Sequence, residues 1–284
     1  MSLLASGPTP GSPPGATTAG QTTPGAATPG AATYSRVGAP WAAVFFLGLL
    51  VLGGGAPPAL APGVPDGVEG QVGDPVPVLV VPGWGDQAPD VEPIRRRLTE
   101  QGWAESRVVS LSFRDPFGSN QAHAEEINGA VRTLMALTGA AQVDVVAHSM
   151  GGLAVRYYLR TGETAPSIRR AVFLGTPHRG TAAAVLAWGD GGREMVPGSD
   201  FLMELNQGRP VPEGVEALAI RTPVDLRVIP ASSGRLAGPG VENVEICCPS
   251  HNALVDHEET FLEILRFLRE GPAMDEIPNV RRPG

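Results

Sequence analysis

The chain has 284 residues, of which 42% are apolar and 18% charged, enough apolar side chain for a large core and too much for a wholly disordered protein. It carries 29 acidic against 21 basic residues, a formal net charge of −8, which argues against a nucleic-acid binder with its basic patch. Two adjacent cysteines, Cys247 and Cys248, exclude a disulfide-rich scaffold and a four-cysteine zinc module.

Residues 1–35 hold no charge, and 30 of the 35 are Pro, Gly, Ala, Ser or Thr. Such a stretch buries too little apolar area to offset its ordering entropy, so residues 1–36 are expected to be a disordered tail. An uncharged run from Trp41 to Leu52 follows Arg36. Its twelve residues span ~18 Å as a helix, against a ~30 Å hydrocarbon core. Residues 37–61 therefore read as an export signal or a short membrane anchor, with Ala59-Leu60-Ala61 as a small-x-small cleavage pattern. The run lies deeper in the chain than export signals usually do, which fits a start mis-called upstream or an uncleaved anchor. Residues 62–73 read as a linker, 74–270 as one folded domain and 271–284 as a loose tail.

From residue 74 strands and helices alternate. Residues 76–81 form a continuous apolar run, the mark of a strand covered on both faces, with Pro77 at its beginning. Asp90 is placed to cap a helix with Pro93 in its first turn, Ile94 and Leu98 on one face and Gly102 at its end. Further strands are predicted at 107–111, 143–147, 171–174, 216–220 and 241–246. Helices are predicted at 121–137, where Ile127, Val131 and Leu134 share a face, and at 150–160. A last helix is lined by Phe261, Leu265 and Leu268, with Glu258 and Glu259 early and Arg266 and Arg269 late, as its dipole favours. Repeated β-then-α order predicts an α/β fold, a mostly parallel sheet with helices on both faces.

Ala147-His148-Ser149-Met150-Gly151-Gly152 falls between a predicted strand and a predicted helix. A serine on that sharp turn holds its Oγ clear of the sheet, where a substrate carbonyl and a histidine can both reach it. Ala147 stands where such a turn usually has its first glycine. Upstream, Val81-Pro82-Gly83-Trp84-Gly85 ends the first apolar strand. Acyl transfer needs two backbone N–H donors aimed at the developing oxyanion, and the candidates are Met150, next to the serine, and Trp84.

These two segments, with Leu174-Gly175-Thr176-Pro177-His178-Arg179-Gly180, Pro197-Gly198-Ser199-Asp200-Phe201-Leu202, Thr222-Pro223-Val224-Asp225 and His251-Asn252, carry a resemblance. Over roughly residues 75–270 the chain resembles bacterial serine lipases and esterases of the α/β-hydrolase superfamily, close to the small lipases with an Ala-His-Ser-Met-Gly elbow. The resemblance implies the α/β-hydrolase fold, no cofactor, and ester hydrolysis through a Ser–Asp–His triad in that chain order.

Five histidines compete for the base. His148 precedes the serine on a tight turn and points away from it, a packing position. His178 belongs to the Gly-Thr-Pro-His loop, structural or near the mouth of a site. His123 starts a helix and is expected in solvent, and His257 opens the last helix as a cap. His251 follows the last strand, where this fold places the base. For the acid, Asp225 follows the strand ending near Ile220 and precedes His251 by one further strand. Asp190 and Asp200 lie in the earlier loop, the first in a Gly-flanked turn and the second at a helix start. Asp144 begins the serine's own strand, at the wrong end of the sheet, and Asp256 is a capping candidate. The expected catalytic set is Ser149, Asp225 and His251.

Residues 176–215 form a long connection with short helices at 182–188 and 199–206, which reads equally as a lid or cap over the site and as a small helical insert packed on the core. Trp188, Phe201, Leu202 and Met203 are the candidates to cover an acyl groove, and no charged specificity pocket is evident. Cys247 and Cys248 are expected as free thiols rather than as a vicinal disulfide. Together these readings predict an exported serine ester hydrolase, a lipase for long-chain acyl esters, acting through an acyl-enzyme. An acyltransferase of the cell envelope on the same triad, and a non-catalytic envelope binding module, are the alternatives. The expected partner is a small-molecule or lipid ester, with contact to a lipid surface open and no nucleic acid.

Overall fold

A computed structural model describes residues 74–161 and 167–272. The tail, signal or anchor and linker expected within residues 1–73, and most of the expected loose tail, lie outside the described residues. Six strands form the sheet: β1 (Val78–Val81), β2 (Val108–Ser110), β3 (Val143–His148), β4 (Ile168–Leu174), β5 (Glu216–Arg221) and β6 (Val241–Glu245). Their order is β2-β1-β3-β4-β5-β6, and every neighbouring pair is parallel. The chain runs outward from β1 to β2, then crosses back and builds the other side from β3. The reversal leaves a crevice between the carboxyl ends of β1 and β3, the usual ligand position in an open α/β sheet.

The helices are α1 (Glu92–Glu100), α2 (Asn120–Thr138), α3 (Gly151–Thr161), α4 (Gly189–Glu194), α5 (Asp200–Leu205) and α6 (Glu258–Glu270). Side chains alternate across the sheet. Leu79, Val81, Val145 and Ala147 face α2 and α3, packing with Ile127, Val131, Leu134 and Val155. Val78, Val80, Val146 and Val172 face the other way, onto Ile94 and Leu98 of α1 and Phe261, Ile264 and Phe267 of α6. Period-two alternation on fully buried strands is what two helical layers require. The caps are local: the Ser119 hydroxyl accepts from Ala122 N–H, and Gly139 closes α2 in the left-handed conformation at φ 67°.

Asp90 does not cap α1. It sits in a 3₁₀ turn (Ala88–Val91) before the helix, where its carboxylate accepts the Gln87 N–H at 2.8 Å. His123 is not solvated but 1% exposed; its ring stacks on Phe113 at 3.8 Å and its Nε2 donates to the Asp115 carbonyl. Burial, opposed by that bond, lowers its pKa. His257 precedes α6 without a side-chain capping bond, and Asp256 pairs with Arg97 at 3.1 Å. Asp190 lies in the first turn of α4 and pairs with Arg193.

Asp144, at the amino end of β3, is fully buried and takes two bonds from Arg169, at 2.6 and 3.0 Å, and one from the Arg170 N–H at 3.1 Å. Arg169 and Arg170 also donate to the Leu268 carbonyl in the last turn of α6, where its dipole favours cations. This ion pair locks the end of the sheet opposite the crevice.

At the crevice end the packing is closer. A Cβ added to Gly151 would lie 2.2 Å from the Pro82 carbonyl oxygen, a backbone atom that no side-chain rotation can clear. Gly151→Ala is therefore expected to destabilise the chain by about 1–3 kcal/mol, as overpacking does. A urea melt reads this directly, and an unchanged midpoint would contradict the close approach of α3 to the loop after β1.

Candidate active site

Ser149 follows β3 directly. It is the sole non-glycine residue with a left-handed φ, 52°, among the described residues. For an L side chain that conformation is strained by about 1–3 kcal/mol and survives only where neighbours hold it. They do so here. The Ser149 N–H donates to the Leu174 carbonyl at 2.8 Å, and its own carbonyl accepts from Gly152 N–H at 3.1 Å. Glycines at 83, 151 and 152 admit the Ser149 Cβ, the Pro82 carbonyl and the Thr176 side chain respectively, each within 2.8 Å of where a Cβ would stand.

The His251 ring reaches the serine from the loop after β6. Its Nε2 lies 2.9 Å from Ser149 Oγ, and its Nδ1 lies 2.7 Å from Asp225 Oδ2. A carboxylate only accepts, so Nδ1 carries the proton, and the bare Nε2 accepts from the serine hydroxyl. Asp225 Oδ1 accepts the backbone N–H groups of Arg227 and Val228, both at 2.8 Å. Burial works to raise the Asp225 pKa, but the His251 bond and charge and the two N–H groups outweigh it, and the net direction is down. Burial is also the largest influence on His251 and lowers its pKa. Asp225 pulls the other way, and His148 and Arg227 add to the lowering. Both groups are nearly inaccessible, His251 4% and Asp225 6% exposed.

Asp190 and Asp200 do not approach this cluster; each opens a short helix of the 176–215 segment. His148 is buried beneath it, its ring 4.9 Å from that of His251 and its Nε2 donating to the His251 carbonyl at 3.3 Å. The other nitrogen is 3.5 Å from Asp86. His178 is buried with neither ring nitrogen hydrogen-bonded, and burial followed by Arg156 and Arg179 holds its pKa well below the ordinary value.

The N–H groups of Gly85 and Ser149 are engaged, by the Pro116 and Leu174 carbonyls. Those of Trp84 and Met150 make no bond to protein among the described residues. Two free donors therefore flank the serine, from the loops after β1 and β3.

A cleft of about 200 Å³ opens over Ser149 and His251, walled by Ala183, Ala184, Leu186, Ala187, Trp188 and Val228. Trp84 anchors one wall, its Nε1 donating to the Trp188 carbonyl at 3.0 Å and its ring edge-on to Phe117 and Trp188. Thr181 ties the opposite wall: its hydroxyl donates to the Arg227 carbonyl at 2.7 Å and accepts from Ile229 N–H at 2.8 Å.

Of the candidates for the acyl groove only Trp188 lines the cleft. Phe201 and Leu202 are 7% and 2% exposed and pack with Met150, Leu153, Met195 and Leu205 on the inner side of the insert, so they support the floor of this cleft rather than line it. The cleft is also less neutral than expected, since Asp86 and Arg227 line it. Asp86, Phe117, Thr181 and Val228 were not visible in the sequence; each enters through loop geometry, with no periodic or motif signal. Cys247 and Cys248, expected as free thiols, are joined as a vicinal disulfide.

Several known proteins are similar. Triacylglycerol lipases of Pseudarthrobacter phenanthrenivorans and Burkholderia plantarii are each 38% identical over 79 residues, 27% of this chain. The matches span only 24% and 21% of those relatives. Aspergillus fumigatus lipase B shares the fold with a TM-score of 0.61 at 18% identity, over 69% of this chain and 53% of that one. The mature form of Bacillus licheniformis lipase BlEst2 does so with a TM-score of 0.60 at 16% identity, over 72% and 96%. The family model described as lipase (class 2) matches residues 75–238, which include Ser149, Trp84 and Asp225 but end before His251. With the α/β-hydrolase architecture and a match over more than half of its length, the chain belongs to the class 2 lipase family.

Proposed function

We propose that the chain is a serine carboxylic-ester hydrolase that cleaves long-chain acyl esters, such as triacylglycerols, outside the cytoplasmic membrane. The observation that carries this reading is the unbroken hydrogen-bond chain from Ser149 Oγ through His251 to Asp225. In the first step Ser149 Oγ bonds to the ester carbonyl carbon while its proton moves to His251 Nε2. The carbonyl oxygen becomes an oxyanion between the Trp84 and Met150 N–H groups. Collapse breaks the C–O bond, and the leaving alcohol takes the proton from Nε2. Water then repeats the sequence on the acyl-enzyme and releases the carboxylic acid. Asp225 fixes the tautomer and stabilises the imidazolium in both halves. The apolar walls of the cleft support an acyl chain as the bound group, and the apolar run of residues 41–52 supports action beyond the membrane.

Ser149→Ala is expected to abolish hydrolysis and labelling by a fluorophosphonate probe; retained labelling would refute the nucleophile. Asp225→Asn is expected to lower kcat by two or more orders of magnitude, less than or up to the about 10⁴-fold seen for the acid of a serine protease. Asp190→Asn and Asp200→Asn, checked for folding by thermal melts, should stay close to wild type.

The base works only as neutral imidazole, and the His251 pKa is lowered from the ordinary 6.5. Activity should therefore persist below pH 6.5, the acid limb of kcat/KM having its midpoint beneath that value. A midpoint above 6.5 would contradict the buried environment. Across 4-nitrophenyl esters from acetate to palmitate, longer chains should be turned over as well as acetate, and Trp188→Ala should raise KM for the longer ones selectively. Activity on acetate alone would mark a short-pocket esterase, and full-length protein confined to the soluble cytoplasm would refute the export reading.

A further inference from the structure

A second cavity, of about 480 Å³, shares no lining residue with the cleft over Ser149. Arg156 of α3 borders it and is only 2% exposed. Each of its partners is neutral: the Pro210 carbonyl at 3.4 Å, the Leu205 carbonyl at 3.2 Å and Asn206 Oδ1 at 3.0 Å. Its Nη1 is buried with no partner. Burial, with the Arg160 charge added, lowers its pKa to about 10, and no carboxylate acts against them. A buried cation is normally paired, because removing a charge from water costs several kcal/mol without compensation.

The surroundings add positive charge rather than cancel it. Arg179 and Arg235 stand exposed at the rim. Arg179 spends one nitrogen on the Ser232 carbonyl at 2.8 Å. No Asp or Glu is among the residues that line the cavity, in a chain whose net charge is −8. His178 behind it stays neutral and offers two unbonded ring nitrogens. Apart from Asn206 the remaining side chains of the wall are apolar, Met203 and Leu236 among them. Met203 is 54% exposed, a large apolar side chain left on the surface beside three arginines.

We propose that this cavity binds an amphiphilic anion, its carboxylate or phosphate head toward Arg156, Arg179 and Arg235 and a short alkyl chain along Met203 and Leu236. The anion supplies the counter-charge that Arg156 lacks. On the ester-hydrolase reading, the carboxylate form is the class of product released at Ser149, so the cavity would sense or hold product; the binding itself does not depend on that reading.

Calorimetric titration of the full-length Ser149→Ala chain tests this whether or not the wild type hydrolyses esters. Octanoate, octyl phosphate, inorganic phosphate and octanol are the four probes. Octanoate or octyl phosphate should bind saturably, at least tenfold tighter than octanol and than inorganic phosphate. The tighter of the two names the source, a free fatty acid or a phospholipid headgroup. Adding Arg156→Gln or Arg235→Gln should weaken binding at least tenfold, and adding Trp188→Ala should leave it unchanged. Arg235 is exposed, so its variant keeps the test valid if Arg156→Gln fails to fold. Absence of saturable binding by both anions overturns the proposal. So does octanol or inorganic phosphate binding as tightly as the amphiphiles, or loss of binding in Trp188→Ala without loss in Arg235→Gln.

Discussion

A left-handed backbone at Ser149, with φ at 52°, constrains everything around the cleft. The turn must reverse the chain within two residues, from the last residue of β3 to the first of α3. That brings the start of α3 against the loops after β1 and β4, and glycine alone fits at 151 and 152, under the Pro82 carbonyl and the Thr176 side chain. The same approach lines up three strand ends. Leu174, at the end of β4, accepts the Ser149 N–H, and the Gly175 N–H donates to Ile220, near the end of β5. Gly175, at φ 57°, leaves only 3.1 Å between a would-be Cβ and the His251 ring. The strained serine therefore determines where the histidine can stand.

Charge is distributed to suit that strain. The ion pair of Asp144 with Arg169, joined by the Arg170 N–H, is at the amino edge of the sheet, away from the cleft. At the carboxyl edge, Asp225 has both oxygens engaged, one by His251 and one by two backbone N–H groups. Those N–H groups belong to the loop that Thr181 ties to the insert. Asp225 is thus oriented by the same bonds that shape the wall of the cleft. A carboxylate so fully satisfied stays ionised in a buried place and keeps the His251 tautomer that leaves Nε2 free for Ser149.

The parts legible in the sequence were those with a strong local or periodic signal. The six strands and the four long helices were placed by apolar runs, helical faces and the alternation of the two, and strand ends fell within about three residues of expectation. Ser149 was legible from its strand–turn–helix setting, and Asp225 and His251 from the resemblance together with their places after late strands; the structure brings these three together. Other positions were decided by tertiary packing. His123 opens a helix and reads as exposed, yet Phe113, a distant loop residue, covers its ring. Phe201 and Leu202 read as groove residues by apolarity alone. Nothing in sequence separates an apolar side chain facing a ligand from one facing Met150. Asp90 has the composition of a helix cap, but an intervening 3₁₀ turn moves the N-cap one residue on, to Val91.

The 176–215 insert shows how far its own movement can extend. Met195, Phe201, Leu202 and Leu205 are buried with Met150 and Leu153. Glu194 accepts both the Asn120 N–H and its side-chain amide, at 2.7 and 2.8 Å. Swinging the whole insert outward would expose that apolar cluster and break those bonds, each apolar side chain contributing about 1.5–3 kcal/mol. The stretch over the cleft is held differently. Val185, Leu186 and Trp188 are 74%, 83% and 62% exposed, and the indole bond from Trp84 to the Trp188 carbonyl is exposed as well. Shifting these residues uncovers little new apolar surface, because they are already in water. Access to Ser149 is therefore cheapest to vary at this rim, while the floor beneath it, Met150 included, stays fixed by the packed half of the insert.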